Sequence, residues 1–581
     1  MQATDHHTIV QSMRELPTPG LVEELFLDVE TISYNSTRGG NKPYHGDEIV
    51  GISFTFNENE KSWYLPMRHR DSILLYQQEI QNLPLESVVK YVSALFASAR
   101  CWINHNLKFD AHFLQNEGIE FGDCKMIDTL TLAKLVDMQS QLGGYGLKPL
   151  AKKWCGLASD EQDEVKAYLR ACKSKDYGDV AASILGKYAC ADVTMNRVLW
   201  HEITKRTYPD IGKVWEIETE LTRTLFDIER RGLKVDTEAL ARAREAAMSK
   251  IATVESNVEE MGYHEVNLNS TKSLVNFVID TMGLPILHVT DKGRPSVNSE
   301  AINAYLETEG VLGDPKVEKF FRLLDCHRDR TQFVALYAEG WLEHIDHNER
   351  LHPSYNQSVR TGRMSCGSPN MQQLSKEAKQ FIVPEAGNAF ISRDYSQVEY
   401  RVIAALTQDK RIIDAYRNNP ETDFHQFIAD LCNIERKPAK SVNFGIAFGM
   451  GERKLVRYLA QLLGTSEAES EAGRILSTYH EKFPGIRRVS QQATRLAASR
   501  GWIRTFYGRR RALDEGFEHK AFNTAVQGTA ADIMKEQVVA LNNDELLRDA
   551  GVTVRAIVHD EVLLEGPAEV VENPAIGEQI D

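Results

Sequence analysis

The 581-residue chain is 42% hydrophobic and 26% charged, with a formal net charge of −15. This composition is that of an ordinary globular protein, and a chain of this length predicts two to four domains. The acidic balance excludes a uniformly basic nucleic-acid coat, although a local basic channel would still bind DNA. The eight scattered cysteines and the lack of a long apolar run predict a soluble, non-secreted, cytoplasmic protein with no membrane partner.

Residues 1–20 are polar and end in Pro17-Thr18-Pro19-Gly20, which predicts a disordered or loosely attached arm. Between 21 and 207, strand-like runs at 25–30, 49–56 and 101–104 alternate with helical patterns such as 85–99. This alternation predicts an α/β domain. Long helical patterns at 215–231 and 237–261 then open a helix-rich region with strand pairs near 389–395 and 553–565.

Four carboxylates stand out in the first region. Asp28 and Glu30 are two residues apart at the end of an apolar strand, so they leave one face of a sheet. Asp110 follows the strand at 101–104, and Asp192 comes four residues after Tyr188 on one helical face. The clustering of these acids in one domain-sized window indicates a metal site.

This region resembles a 3′-5′ proofreading exonuclease domain of the DEDDy type, which implies an RNase H-like α/β fold. The resemblance implies that Asp28, Glu30, Asp110 and Asp192 hold two metal ions and that Tyr188 orients the attacking water. Two ions suit phosphodiester hydrolysis because one activates the water and both stabilise the in-line displacement. We expect an active nuclease. The segment 145–150 resembles the family's connecting segment, and we expect it to be only structural.

Two further segments, 388–406 and 553–566, each place one carboxylate at the end of an apolar, strand-like run. The first run ends at Asp394 and breaks into a helical pattern after Tyr395, and the second breaks at His559-Asp560 in the manner of a hairpin. A fold that joins both ends would let Asp394 and Asp560 share two divalent cations about 4 Å apart. Such a pair can activate a 3′-hydroxyl and stabilise a leaving pyrophosphate.

A basic and aromatic stripe lies between these segments. Arg436, Lys440, Phe444 and Phe448 are each four residues apart, which on a helix gives one slowly winding face. The cations would hold the phosphates of a nucleoside triphosphate and the rings would stack on its base and sugar. Lys440 is our candidate general acid. The basic turn at 501–511 suits DNA phosphates, and it fits a solvated face equally well.

From about residue 215 to 565 the chain resembles a family A, polymerase I-like, DNA polymerase. This implies a right-hand fold of palm, fingers and thumb, mostly α with an antiparallel palm sheet. We therefore expect an arm at 1–20, an exonuclease domain at 21–207 and a polymerase domain at 208–581. Within the last, the thumb is expected at about 236–345, the palm at about 346–405 and 512–581, and the fingers at about 406–511.

The resemblance also implies roles for individual residues. Asp394 and Asp560 would be the catalytic acids that bind both metals, with the backbone carbonyl of Tyr395 as a further ligand. Glu399 would exclude a ribose 2′-hydroxyl, Gln397 would lie near the primer or nucleotide, and His425 would lie near the β-phosphate. The expected DNA contacts are Arg363, Asn523, Gln527, Arg509 and Arg510. The implied cofactor is Mg²⁺, two ions per active site, for which Mn²⁺ can substitute.

The sequence departs from the family pattern at several positions. Phe448 stands where the family usually has Tyr, and Ile557 where it has Gln. Residues 374–377 replace Ile-Pro-Val-Arg, which leaves Lys376 or Lys379 to make the arginine's phosphate contact. Phe444, in contrast, is a common variant in the family, and the resemblance implies discrimination against dideoxynucleotides. Because little sequence follows Glu561, we expect either a truncated chain or a palm that closes differently, and at the other end we expect no 5′-nuclease domain.

We conclude from the sequence that the chain is a template-directed DNA polymerase with a proofreading exonuclease. Its expected partners are primer–template DNA and dNTPs, while a processivity factor or helicase is not readable from sequence. A bacteriophage-type replicase, working in the host cytoplasm, and a trimmed repair polymerase both fit. One alternative is a single-subunit RNA polymerase, against which Glu399 and the exonuclease region argue. The other is an exonuclease whose polymerase half only clamps DNA.

Overall fold

The computed structural model describes residues 6–32, 43–57, 59, 61–70, 81–137, 144–157, 160–290, 292–307, 314–395, 397–432, 434–463 and 465–580. The chain forms two compact units. Unit 1 contains residues 1–231, 355–367 and 388–581, and unit 2 contains residues 232–354 and 368–387. Across the described residues, none of the helices has the length and apolar character needed to span a bilayer.

The first part of unit 1 is a six-stranded sheet flanked by helices, with strand order β1-β4-β3-β2-β5-β6. Its strands are β1 (His7–Ile9), β2 (Val22–Ile32), β3 (Glu48–Phe56), β4 (Ser62–Pro66), β5 (Ala99–Asn104) and β6 (Lys125–Asp128). Its helices are α1 (Leu85–Ser98), α2 (Leu107–Asn116), α3 (Thr129–Val136), α4 (Leu147–Leu150), α5 (Glu161–Cys172), α6 (Ala182–Lys205) and α7 (Gly212–Arg231). The α/β prediction for this region is confirmed.

The predicted loose arm is wrong for its described part, residues 6–20; residues 1–5 lie outside the described residues. Strand β1 pairs in parallel with β4, Val10 is fully buried, and the Val10 amide donates to the Tyr64 carbonyl at 3.0 Å. The Tyr91 hydroxyl donates to the Pro17 carbonyl at 2.9 Å. Three strand residues are too few to show alternation, so backbone pairing with a distant strand decided this segment.

Unit 2 is mainly helical, with a small two-stranded ribbon of β7 (Leu233–Lys234) and β8 (Arg350–Leu351). Its helices are α8 (Thr237–Glu260), α9 (Thr271–Asn276), α10 (Ser299–Glu307), α11 (Pro315–Phe333) and α12 (Lys376–Lys379). Helix α8 begins after Asp236, whose side chain accepts from the Ala239 amide at 2.8 Å. Ser270 caps α9 in the same way, as expected for a serine before a helix.

The rest of unit 1 surrounds a three-stranded antiparallel sheet with order β11-β15-β14. The strands found in this part of the chain, inside and outside that sheet, are β9 (Ser354–Asn356), β10 (Ser365–Gly367), β11 (Asn388–Asp394), β12 (Trp502–Arg504), β13 (Arg510–Ala512), β14 (Thr553–Val558) and β15 (Glu561–Pro567). The helices are α13 (Val398–Thr407), α14 (Lys410–Asn418), α15 (Phe424–Cys432), α16 (Arg436–Ala447), α17 (Glu452–Leu463), α18 (Thr465–Lys482), α19 (Pro484–Arg500), α20 (Ala521–Asn543), α21 (Glu545–Asp549), α22 (Ala568–Val571) and α23 (Pro574–Ile580).

Candidate active sites

The three-stranded sheet brings Asp394 and Asp560 to one end. Asp394 is the last residue of β11 and pairs with Glu561, the first residue of β15. Asp560 occupies the two-residue turn between β14 and β15, and its carbonyl accepts from the Tyr395 amide at 3.3 Å. Residues 166 positions apart in the chain are therefore neighbours across one strand pair, as a shared site requires.

Gln397 turns the chain from β11 into α13. Its backbone is left-handed, with φ of +53°, which ends the strand geometry and starts the helix that carries Glu399. Its side-chain amide donates to the Thr422 carbonyl at 3.1 Å and accepts from the Tyr416 hydroxyl at 3.4 Å. The structure thus assigns Gln397 hydrogen bonds within the protein, to the segment that precedes α15.

Glu399, expected to exclude a ribose 2′-hydroxyl, and Arg363, expected to contact DNA, are in direct contact. Arg363 Nη2 donates to Glu399 Oε1 at 2.5 Å. Burial raises the pKa of Glu399, as does the charge of Asp560, whereas Arg363 and Lys440 act to lower it. These interactions show that Glu399 lies within electrostatic range of the sheet end and of α16.

Helix α16 presents the predicted stripe. The rings of Phe444 and Phe448 stack with centroids 5.7 Å apart and an interplanar angle of 11°. Lys440 lies one turn earlier with an exposed side chain, and Arg436 pairs with Asp423 at 2.5 Å. Phe448 follows the last residue of the helix, so the stripe spans its whole length.

His425 is buried beneath this stripe. It is 2% exposed, its ring centroid is 5.0 Å from that of Phe444, and its Nδ1 accepts from Asn443 Nδ2 at 3.0 Å. Burial, with the nearby cations Lys440 and Arg436, lowers the pKa of His425 to about 4. The imidazole is therefore neutral near pH 7 and can offer a phosphate only an uncharged N–H.

The acids expected at an exonuclease site are carried by one strand and two helices. Asp28 and Glu30 lie on β2, Asp110 on α2, and Tyr188 and Asp192 on α6. Asn104, at the end of β5, donates to Asp28 Oδ1 at 3.2 Å and to Asp110 Oδ2 at 2.9 Å. The backbone amide of Val29 donates to Asp110 Oδ1 at 3.0 Å.

The protonation of these acids reflects their burial. Burial raises the pKa of Asp192 to about 6, and burial together with Asp28 raises the pKa values of Glu30 and Asp110 well above their ordinary range. Asp192 Oδ1 is buried with no hydrogen-bond partner among the described residues. Such a set favours a bound cation, because a positive charge restores the ionised forms.

The chemistry of these oxygen donors fits a hard divalent cation such as Mg²⁺. Among the described residues, no group of three or more His, Cys, Asp or Glu side chains is already arranged to bind a metal ion.

Sequence analysis missed two residues that contact the acids expected at the exonuclease site. Asn104 bridges two carboxylates, and the only sequence signal was its position as a polar residue ending an apolar strand. Lys148 lies in the segment expected to be only structural, yet its Nζ is 3.2 Å from Asp192 Oδ2. A basic residue at the start of a short helix carries no signal of this kind.

Arg509 is not available to DNA in this structure, which corrects its expected role. Its side chain is buried, and its guanidinium lies between Glu218 at 2.5 Å and Asp532 at 2.7 Å. Lys535 also reaches Glu218, at 2.5 Å, and donates to the Gln357 carbonyl. This buried ion cluster joins α7, α20 and the 355–367 segment.

The remaining expected DNA contacts lie at the surface of this core. Asn523 and Gln527 are half-buried on α20, and Arg363 is exposed. Arg510 is held between two rings, with its Cζ 4.0 Å from the centroid of Tyr208 and 4.3 Å from that of Trp502. This stacking holds the arginine in place, and its Nη2 also lies 4.0 Å from Asp210 Oδ2.

Beside these residues is a cavity of about 230 Å³ with a basic lining. The lining contains the cations Lys134, Arg360, Arg504, Arg510 and Arg511, the already paired Arg509, and one acid, Asp137. The Nε atoms of Arg510 and Arg511 are buried and find no hydrogen-bond acceptor in the described ranges. Burial and the like charge of Arg360 lower the pKa of Arg511. The cavity therefore suits an anion such as a phosphodiester.

Comparison with known proteins identifies two regions of the chain. Residues 237–576 match the sequence profile of DNA polymerase family A, and residues 10–207 match that of a 3′-5′ exonuclease. Since the first match spans more than half of the chain, the protein belongs to DNA polymerase family A. The fold class expected from the sequence, an exonuclease domain followed by a family A polymerase domain, is confirmed.

The chain is similar to cellular and bacteriophage polymerases. It is 28% identical to DNA polymerase I of Pseudomonas aeruginosa, over 96% of this chain and 61% of that protein. It is 27% identical to a DNA-directed DNA polymerase of Pseudomonas phage M6, over 88% of this chain and 84% of the relative. The chain thus spans about three-fifths of the Pseudomonas aeruginosa protein.

The fold is similar to that of the polymerase domain of Pol1 from M. smegmatis, solved in complex with DNA primer-template and dNTP. The two structures align with a TM-score of 0.71 at 22% identity, over 97% of this chain and 92% of the other. At this identity the similarity supports the fold of the present protein.

Proposed function

We propose that this protein extends a DNA primer on a template from dNTPs and removes mispaired 3′ ends by hydrolysis. The observation that carries the proposal is the pairing of Asp394 with Glu561 beside Asp560, which puts the two acids at one sheet end. Family A membership favours DNA over RNA synthesis, and the second acid cluster on β2, α2 and α6 supports proofreading.

In the polymerase site, Asp394, Asp560 and the carbonyl of Tyr395 would hold two Mg²⁺ ions. When bound, the ions would lower the pKa of the primer 3′-hydroxyl and stabilise the charge on the pyrophosphate. Lys440 and Arg436 would bind the triphosphate, and Lys440 would protonate the leaving pyrophosphate oxygen. Phe444 and Phe448 present stacked rings to the base and sugar, and Glu399 would exclude a 2′-hydroxyl by its bulk.

In the exonuclease site, Asp28, Glu30, Asp110 and Asp192 would hold two ions, which would activate water for attack on the terminal phosphodiester. Asn104 keeps Asp28 and Asp110 close together through its two hydrogen bonds. Burial raises the pKa of Tyr188. Its hydroxyl therefore stays protonated at neutral pH and can orient the water by a hydrogen bond.

The partners we propose are primer–template DNA and dNTPs. Arg363, Asn523 and Gln527 would contact the duplex, and the cavity near Arg511 would receive a backbone phosphate. Asn523 Oδ1 is buried without a hydrogen-bond partner among the described residues, which leaves an acceptor for a DNA group. We also propose that the protein works in the cytoplasm, in the host's if the source is viral.

Primer extension on a defined template tests the proposal. With Mg²⁺ and dNTPs, Asp394→Ala should abolish extension of a paired primer while leaving 3′ trimming, and Asp28→Ala should do the reverse with a mismatched primer. Asp549→Ala and Asp163→Ala, which remove exposed acids on α21 and α5, serve as controls. Extension that survives Asp394→Ala would favour the DNA-clamp alternative, and preferential use of rNTPs would favour an RNA polymerase.

A further inference from the structure

Lys148 lies against two of the exonuclease side chains. Its Nζ is 3.2 Å from Asp192 Oδ2 and 3.9 Å from the centroid of the Tyr188 ring. Its charge also acts on Asp28 and Glu30. The lysine side chain is 21% exposed, so its ammonium is largely withdrawn from water into the acid cluster.

The acids around Lys148 need a positive charge. Glu30, Asp110 and Asp192 are each less than 10% exposed, and Asp192 Oδ1 has no hydrogen-bond partner among the described residues. Removing ionised carboxylates from water is costly unless they are paired. In the ion-free protein Lys148 supplies one such charge, at the same Asp192 that the proposed function assigns to a metal ion.

We propose that Lys148 is a built-in counter-ion of the exonuclease site, which a divalent cation must displace from Asp192 in order to bind. This inference rests on the proposed exonuclease function and adds that Lys148 sets the metal-ion concentration at which the site is filled. A dication and an ammonium compete for the same carboxylate oxygen, so the lysine stabilises the empty site and weakens ion binding. Lys148 is thus a positioning residue that acts through Asp192.

Mn²⁺ binding to the full chain tests this competition without turnover. Free Mn²⁺ is measured by electron paramagnetic resonance, with Asp560→Asn in every sample to weaken binding at the polymerase acids. Lys148→Met removes the charge at similar length and should tighten Mn²⁺ binding by about tenfold or more, the usual effect of one close charge. Lys148→Arg keeps the charge and should bind Mn²⁺ as the parent does.

Lys153→Met is the matched control. Lys153 lies five residues away and pairs with Asp137 at 3.2 Å, outside the acid cluster, so its loss should leave the Mn²⁺ affinity unchanged. Asp192→Asn should weaken the site. If Asp192→Asn has no effect on Mn²⁺ binding, the proposed metal site is wrong and this inference fails with it.

Thermal unfolding separates a counter-ion from a packing residue. In EDTA, Lys148→Met should melt below the parent, and saturating Mn²⁺ should remove the difference because the ion replaces the lost charge. If Asp192→Asn weakens Mn²⁺ binding but Lys148→Met leaves the Mn²⁺ affinity unchanged or lowers it, this inference is wrong while the proposed metal site stands. A loss of melting temperature that Mn²⁺ does not recover, with unchanged affinity, would make Lys148 a purely structural residue.

Discussion

Arg363 Nη2 donates a hydrogen bond of 2.5 Å to Glu399 Oε1, which couples a residue expected to contact DNA to the residue expected to exclude ribose. The side chain of Glu399 is 13% exposed and that of Arg363 is 44% exposed, so the carboxylate is the more buried partner of the pair. The two residues lie 36 positions apart, and each was interpreted from its own motif.

This pairing predicts that sugar selection depends on both residues. Glu399→Ala should raise rNTP incorporation, and Arg363→Ala should raise it in part, because the carboxylate loses the partner that orients it. In a double-mutant cycle of rNTP against dNTP kcat/KM, we expect a coupling of about 0.5–3 kcal/mol, as for residues in contact. Effects that simply add would show that the pair does not act in sugar selection.

The buried ion cluster of Glu218, Arg509, Asp532 and Lys535 predicts a large loss of stability from one substitution. Lys535→Met removes the ammonium group that lies 2.5 Å from Glu218 Oε1, and both side chains are 0% exposed. Breaking a buried pair costs about 3–5 kcal/mol of unfolding free energy. The urea midpoint of the full chain is the measurement.

Lys213→Met is the matched control for this loss, because Lys213 pairs with Glu536 between the same two helices at 2.5 Å but at the surface. We expect it to change stability by at most about 1 kcal/mol. Equal effects of the two substitutions would contradict the assignment of the buried cluster as a structural centre.

His425 predicts a pH dependence of stability. Its pKa is lowered from 6.5 to about 4 in the folded protein, so the unfolded chain binds a proton that the folded chain does not. The contribution of His425 to the unfolding free energy is fully present above pH 6.5. It is lost as the pH falls from about 6.5 towards about 4, by at most about 3 kcal/mol. Unfolding free energies at pH 7 and pH 5 measure the effect.

In His425→Gln the loss of stability between these two pH values should be smaller than in the parent. His519→Gln removes an exposed histidine and should leave the slope unchanged. An unchanged slope in His425→Gln would show that this imidazole is not buried as the structure has it.

The basic cavity predicts a salt-dependent contribution to DNA binding. Arg511→Gln should weaken primer–template binding for every sequence and reduce the salt slope of log K by about 1, because one phosphate contact is lost. Fluorescence anisotropy at several salt concentrations measures this. Arg548→Gln, on exposed α21, is the control, and an unchanged slope in Arg511→Gln would exclude the cavity from the DNA path.

Much of the fold was readable because its signals are local. Strand alternation, helix spacing and capping residues depend on near neighbours, so β2, β3, α1, α7 and α8 begin and end close to their predicted bounds. The four-residue spacing of Arg436, Lys440, Phe444 and Phe448 likewise predicted the stripe on α16. The catalytic roles of these residues stay predictions, since they rest on the family resemblance.

The sequence by itself determined which side chains are candidates for the chemistry: two acid sets, a cationic and aromatic helix face, and a basic turn. Only the tertiary structure decided which of them meet. It turned Arg509 inward to Glu218, joined Arg363 to Glu399, and placed Lys148 on Asp192. The reason is that a charge can be neutralised by any opposite charge that folding brings near, and a pairing between distant positions leaves no periodic trace in the chain.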